Sequence, residues 1–180
     1  MPPQTTVWPE LPYEAWKDTC ATLHLWTQIV GKIRLAQTPW LNHSWHVVLY
    51  VTPRGLTTSS IPYGERSFEL NFDFIDHALK ISASDGAKQQ IGLYPRSVAD
   101  FHADVMRSLS ALGIDIRIGE LPNEIPDAIR FSDDRVHASY DREDAQAFWR
   151  ILLQSTRVLE RLRTSFLGKC SPVHFFWGSF

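Results

Sequence analysis

His24 and Gln28 are the polar side chains whose spacing most favours a binding site. They stand four residues apart in a segment of helical periodicity, so they share one helix face, with Trp26 beside them and Lys32 one turn further on. Their apolar neighbours are Leu23, Leu25 and Ile29. Polar groups set among apolar ones need hydrogen-bond partners when buried, and a ligand can supply them. In the alternative interpretation, both side chains bond to backbone groups of the loop 54–63.

A long connection, PRGLTTSSIPYGER at residues 53–66, adds Arg54 and Tyr63, and recognition residues are common in such loops. We therefore predict a domain that binds a small organic ligand in an aromatic-lined pocket between the first helix and the sheet. The expected polar contacts are His24, Gln28, Arg54 and Tyr63, and the expected walls are Trp26 and Trp45.

His43 and His46 raise the alternative of a metal-dependent enzyme, because neutral imidazole is a common metal ligand. His24 or His174 would have to supply a third ligand. Residues three apart on an extended strand point to opposite faces, and the chain has no HExxH motif. A metal site is therefore not favoured, and any cofactor stays unknown.

Cys170 raises the alternative of a cysteine-dependent enzyme. It follows Lys169 and precedes His174, and a nearby cation and base stabilise a thiolate nucleophile. A buried structural thiol is the competing interpretation, and no GxSxG motif indicates serine chemistry. The catalytic residues, if there are any, stay unknown at this point.

The elements that would position these residues follow from periodicity. Apolar residues recur every three or four positions from Tyr13 until Pro39, which predicts a first helix. Ser97 and Asp141 are expected to cap two further helices, which end near Gly113 and Gly168. The third helix is expected to bury Leu159, Leu162 and Phe166 as part of its inner face.

Strands are predicted between the first two helices. WHVVLYVT at 45–52 is rich in β-branched residues, SFELNFDF at 67–74 alternates, and ALKISA at 78–83 and KQQIGL at 88–93 flank an Asp-Gly turn. A short strand is also expected at 114–119. The prediction is an α+β fold, with a mainly antiparallel sheet of about five to seven strands and three main helices packed on it.

Composition limits the classes of protein. The 180 residues, of which 44% are hydrophobic, predict a single domain at 13–180 after an extended Pro-rich arm at 1–12. A net charge of -2 argues against nucleic acid as a partner. Two widely spaced cysteines and the lack of a signal peptide or a long apolar run predict a cytoplasmic protein with no membrane partner.

Several long segments resemble a known family. They include YVTPRGLTTSSIPYG at 50–64, FDFIDH at 72–77, HASYD at 137–141 and GKCSPVHFFWGSF at 168–180. Together they are similar to the bacterial domain-of-unknown-function family 5996, from about Trp8 to the last residue. The resemblance implies no activity for any residue. It implies that related chains continue past the HFFWGSF block, so a C-terminal truncation is expected here.

The apolar C-terminal segment predicts a further strand. After Pro172, Val173, Phe175 and Trp177 alternate with His174, Phe176 and Gly178. An interrupted edge strand tends to pair with another chain. The third functional hypothesis is therefore a protein-interaction module that self-associates through this strand.

Overall fold

The structure, a computed structural model, describes residues 7–178 and confirms the α+β fold. Three α-helices are present in this range: α1 (Tyr13–Gln37), α2 (Val98–Ala111) and α3 (Arg142–Arg163). Six strands form one sheet: β1 (Tyr50–Thr52), β2 (Gly55–Thr57), β3 (Ile61–Tyr63), β4 (Arg66–Asp73), β5 (Ala78–Ala83) and β6 (Lys88–Gly92). The division into an arm at 1–12 and one domain at 13–180 stays a prediction, and part of that arm lies outside the described residues.

The sheet is antiparallel, with the strand order β1-β2-β4-β5-β6, and β3 pairs with the first residues of β4. Phe68, Leu70 and Phe72 of β4 are buried, whereas Glu69 and Asn71 between them are half-exposed, as the alternation predicts. β4 is thus the central strand, and its apolar side belongs to the hydrophobic core.

The indole of Trp26 shows how α1 packs. It is fully buried and stacks on Phe101 of α2 and on Tyr140, with ring centroids 4.5 and 5.4 Å apart. Phe101 in turn stacks on Phe72 of the sheet at 6.4 Å. Trp26 therefore lies within the packed core, where large rings bury the most apolar surface per residue.

One of the predicted strands is shorter than expected, and another, at 114–119, is wrong. In the segment 45–52 only residues 50–52 form β1, and Asn42–Ser44 is a 3-10 turn in which His43 has φ 57°. The segment 114–119 is not a strand, although Ile114 and Ile116 are buried. At 114–119 the alternation reflects alternating burial of a segment that, in the described part of the chain, has no strand to pair with, whereas residues 46–49 are all buried and only Leu49 of them forms a bridge.

The expected inner face of α3 is also partly wrong. Ala145 and Trp149 are buried, but Leu159 and Leu162 are exposed, and the helix ends at Arg163 rather than near Gly168. α3 packs on α1 and β1, and its residues 157–162 are exposed. The periodicity of a sequence identifies the apolar face of a helix, but that face is buried only where another element packs on it.

The predicted C-terminal strand is a single antiparallel bridge. Leu49 and Phe175 exchange both backbone hydrogen bonds, at 2.9 and 2.7 Å. Trp177 follows and is buried, and its Nε1 donates a hydrogen bond to the carbonyl oxygen of Val47 at 2.6 Å. Self-association through this segment stays a prediction, and residues 179–180 lie outside the described part.

Candidate functional site

Gln28 lies on a polar stripe of α1 with His24 and Lys32, and a loop covers the stripe. The buried amide of Gln28 donates to the carbonyl oxygen of Asn123 at 2.9 Å and accepts the N–H of Asn123 at 2.8 Å. These two hydrogen bonds resemble the two that a pair of residues exchanges across an antiparallel sheet. Gln28 therefore holds the loop 119–124 against the helix. The backbone partner expected in the structural interpretation exists, but it is this loop and not 54–63.

His24 completes the stripe. The Gln28 amide nitrogen lies 3.0 Å from His24 Nε2, and because an amide nitrogen can only donate, Nε2 is the acceptor. Burial lowers the pKa of His24, partly offset by a backbone hydrogen bond with Trp177 and by the charge of Glu124. His24 is therefore a neutral member of the network at neutral pH.

The other predicted ligand-binding residues lie elsewhere. Arg54 donates from Nε to Asp73 at one end of β4, at 2.6 Å. The Tyr63 hydroxyl accepts the N–H of Asp115. In the register of β3 and β4, Tyr63 lies opposite Arg66, at the other end of β4. An eight-residue strand separates these ends by about 23 Å. Ligand binding by all six residues, including half-buried Trp45, stays a prediction.

The histidines considered as metal ligands have other partners. His46 is buried and accepts the N–H of Leu41 at Nδ1, at 3.1 Å. His43 is exposed beside Trp45, and His174 bonds to the carbonyl oxygen of Pro172. Among residues 7–178, no three or more His, Cys, Asp or Glu side chains are grouped so that they could hold a metal ion.

Asp73 is the centre of a charged cluster between the β1–β2 and β4–β5 turns. It is 3% exposed and accepts from Arg54, from Lys80 at 2.7 Å, and from the N–H groups of Ile75 and Asp76. Burial alone would raise the pKa of Asp73, but these donors hold it well below its usual range. Its lone pairs are occupied, so Asp73 acts as a structural anchor and not as a free base.

His77 and Tyr140 form a pair beside this cluster that the sequence did not reveal. His77 Nδ1 lies 2.9 Å from the Tyr140 hydroxyl, and His77 has a left-handed backbone with φ 49°. Burial lowers the pKa of His77, as does the charge of Arg142, and burial raises the pKa of Tyr140. The two residues are 63 positions apart, so no local pattern connects them.

A cleft lies between the C-terminal half of α3 and the chain that follows it. Two adjoining cavities of about 380 and 290 Å³ make up this C-terminal cleft. Its main lining residues are Leu159, Leu162, Arg163, Phe166, Cys170 and His174. The apolar residues of α3 that were expected in the core therefore form the wall of a surface cavity.

Three groups in the C-terminal cleft can do chemistry. Cys170 is exposed and lines the cleft together with Arg163, whereas the predicted cation Lys169 is not among the lining residues. His174 donates from Nδ1 to Pro172 O at 2.8 Å, which leaves a lone pair on its Nε2. A nucleophile, a cation and a base thus line one cavity.

The sequence of the chain matches one known protein family. A model of a family of unknown function matches residues 8–180. The chain belongs to the DUF5996 family. No curated protein and no solved structure matches it significantly.

Two segments that carry the resemblance to DUF5996 form the His77–Tyr140 pair, and a third lines the C-terminal cleft. None of the helices within residues 7–178 is long and apolar enough to cross a membrane. A cytoplasmic location for this DUF5996 protein stays a prediction.

Proposed function

We propose that the protein binds a small organic molecule with a largely apolar body in the C-terminal cleft. The observation that carries the proposal is the cavity pair of about 380 and 290 Å³ with Leu159, Leu162 and Phe166 on its walls. Ligand sites typically combine such a volume and apolar lining with a few convergent polar groups.

The charges of the cleft favour a neutral or weakly polar ligand group. Arg163 Nη1 donates to both carboxylate oxygens of Glu160, at 2.9 and 2.7 Å, so the positive charge is largely balanced. Cys170 and His174 are then the polar groups available to a ligand, and specificity would come from the shape of the apolar wall.

The experiment uses Nile red, an uncharged dye whose fluorescence rises in apolar surroundings. We expect saturable binding that Leu162→Gln weakens roughly tenfold, because burial of one large aliphatic side chain contributes about 1.5 kcal/mol or more. Val158→Gln is the matched control, since Val158 is also exposed, lies one turn earlier and does not line the cleft. Equal losses in both variants, or no saturation in the wild type, would contradict the proposal.

The presence of Arg163, Cys170 and His174 on the wall of one cavity favours a second candidate function, a cysteine-dependent acyl transfer. The Cys170 sulfur would attack an ester carbonyl, its proton would pass to His174, and the alcohol would leave with that proton. With p-nitrophenyl acetate we expect a burst of one nitrophenolate per protein in the wild type and in Cys20→Ser. A burst that persists in Cys170→Ser, or no burst in the wild type, would exclude this reaction.

A further inference from the structure

Lys32 of α1 is a buried cation. It is 7% exposed, donates to the carbonyl oxygen of Leu121 at 2.6 Å, and lies 5.5 Å from the ring centroid of Phe131. In the part of the chain that the structure describes, no carboxylate forms an ion pair with it, and burial lowers the pKa of Lys32. An ammonium has three donors, so this buried cation is under-satisfied.

His102 of α2 presents a second unsatisfied group near the same ring. It is 9% exposed, its ring centroid lies 6.2 Å from that of Phe131, and its buried Nε2 has no hydrogen-bond partner among residues 7–178. Buried polar atoms are almost always paired, so this nitrogen can bond to a group that enters the region.

Glu120 is the acidic residue next to this region, and its carboxylate is already bonded. It accepts from Arg130 at 3.2 Å and from Ser132. Its charge raises the pKa of His102 slightly against the lowering effect of burial. Glu120 therefore does not replace the missing partner of Lys32.

Gly119 leaves space beside Lys32. A side-chain carbon at Gly119 would have Lys32 Nζ as its nearest neighbour, at 3.9 Å, and no other atom within 4 Å. Gly119 is itself exposed. The ammonium can therefore be reached from the surface next to this glycine.

We propose that Lys32 and His102 bind a small oxyanion, the carboxylate or phosphate group of a ligand, where α1, α2 and the segment 119–131 meet. Lys32 supplies the charge, the Nε2–H of His102 supplies a hydrogen bond, and Phe131, whose ring lies near both, forms a wall. This site is separate from the C-terminal cleft and does not depend on the function proposed for it.

The test measures the melting temperature of the full chain in phosphate, in acetate and in chloride at matched ionic strength. We expect phosphate, acetate or both to raise the melting temperature saturably above chloride. Binding of phosphate alone would indicate a phosphate group as the natural ligand, and binding of acetate alone a carboxylate.

Variants separate the site from general salt effects. Lys32→Met is expected to melt higher than the wild type without an anion, because it removes a buried charge, and to bind anions at least tenfold more weakly. Lys17→Met is the control, because Lys17 lies on the same helix but is exposed and paired with Glu14. His102→Phe is expected to weaken binding, and His102→Gln, which keeps a donor, to retain it.

A second measurement needs no variant. The NMR titration of Lys32 is expected to move to higher pH when the anion binds, since a bound negative charge stabilises the ammonium. The proposal is overturned if neither anion binds saturably, if Lys32→Met binds like the wild type, or if the Lys32 titration does not move.

Discussion

The indole of Trp177 lies directly on the backbone of Gly31, and its ring occupies the position that a side chain at residue 31 would need. A glycine inside a helix costs up to about 1 kcal/mol relative to alanine. Here the glycine allows the C-terminal segment to pack on α1, where Trp177 also bonds to Val47.

We predict that Gly31→Ala destabilises the protein by about 2–3 kcal/mol, since the new methyl group has to displace the packed indole. Urea unfolding followed by circular dichroism measures the change in the free energy of unfolding.

The matched control is the same substitution in a Trp177→Ala background. Without the indole, Gly31→Ala should be neutral or stabilise by up to about 1 kcal/mol, because alanine is the better helix former. An equal destabilisation in both backgrounds would show that Trp177 is not the cause.

Asp73 should make stability depend on pH in the acid range. Its pKa in the folded protein lies well below the unfolded value, so its contribution is complete above about pH 4 and is lost as the pH falls further. Asp73→Asn should cost roughly 3 kcal/mol at pH 7, because it leaves Arg54 and Lys80 without a buried partner, and less at pH 3.

Asp76 provides the comparison for Asp73. It binds the same two cations but is exposed, so Asp76→Asn should cost under about 1 kcal/mol. Unfolding curves of the two variants from pH 3 to pH 7 test this. A larger loss of unfolding free energy in Asp76→Asn than in Asp73→Asn would show that Asp76, and not Asp73, is the main anchor of the cluster.

Gln28→Ala should release the loop 119–124, because it leaves the N–H and C=O of Asn123 without their partner. We expect a loss of about 1–3 kcal/mol and faster hydrogen exchange at the Asn123 amide. Gln154→Ala is the control, because Gln154 bonds to Arg157 at the surface. Unchanged exchange at Asn123 would contradict the role given to Gln28.

The two cysteines should differ in reactivity. Burial raises the pKa of Cys20 to about 11, so at pH 8 only about one molecule in a thousand carries its thiolate. Cys170 is exposed. Iodoacetamide at pH 8 should therefore add one group, which peptide mapping would place at Cys170, and the second should follow only on unfolding. Comparable labelling of both residues would contradict this.

Elements defined by neighbouring residues were predictable. Ser97 accepts the N–H of Asp100 at 3.1 Å as the expected cap of α2, and Asp141 caps α3 in the same way. The hairpin of β5 and β6 follows its Asp-Gly turn. Caps and tight turns are recognisable because their energies depend on residues only a few positions apart.

The errors arose where an apolar pattern required a distant partner. Leu162 has the spacing of a core residue but lines a surface cleft, and residues 45–49 have strand composition but no strand beside them, apart from the bridge at Leu49. Periodicity describes one face of an element, and what covers that face is decided by the rest of the chain.

The polar sites also combine features that the local sequence predicts with contacts that it does not. The helical spacing of His24, Gln28 and Lys32 was enough to place them on one face of α1. Three pairings depended on contacts between residues that are far apart in the sequence. They are Gln28 with Asn123, Lys32 with Leu121 and His77 with Tyr140, at separations of 95, 89 and 63 positions. Short-range order is encoded in local conformational preferences, whereas these pairings arise only when burial of the common core brings distant segments together.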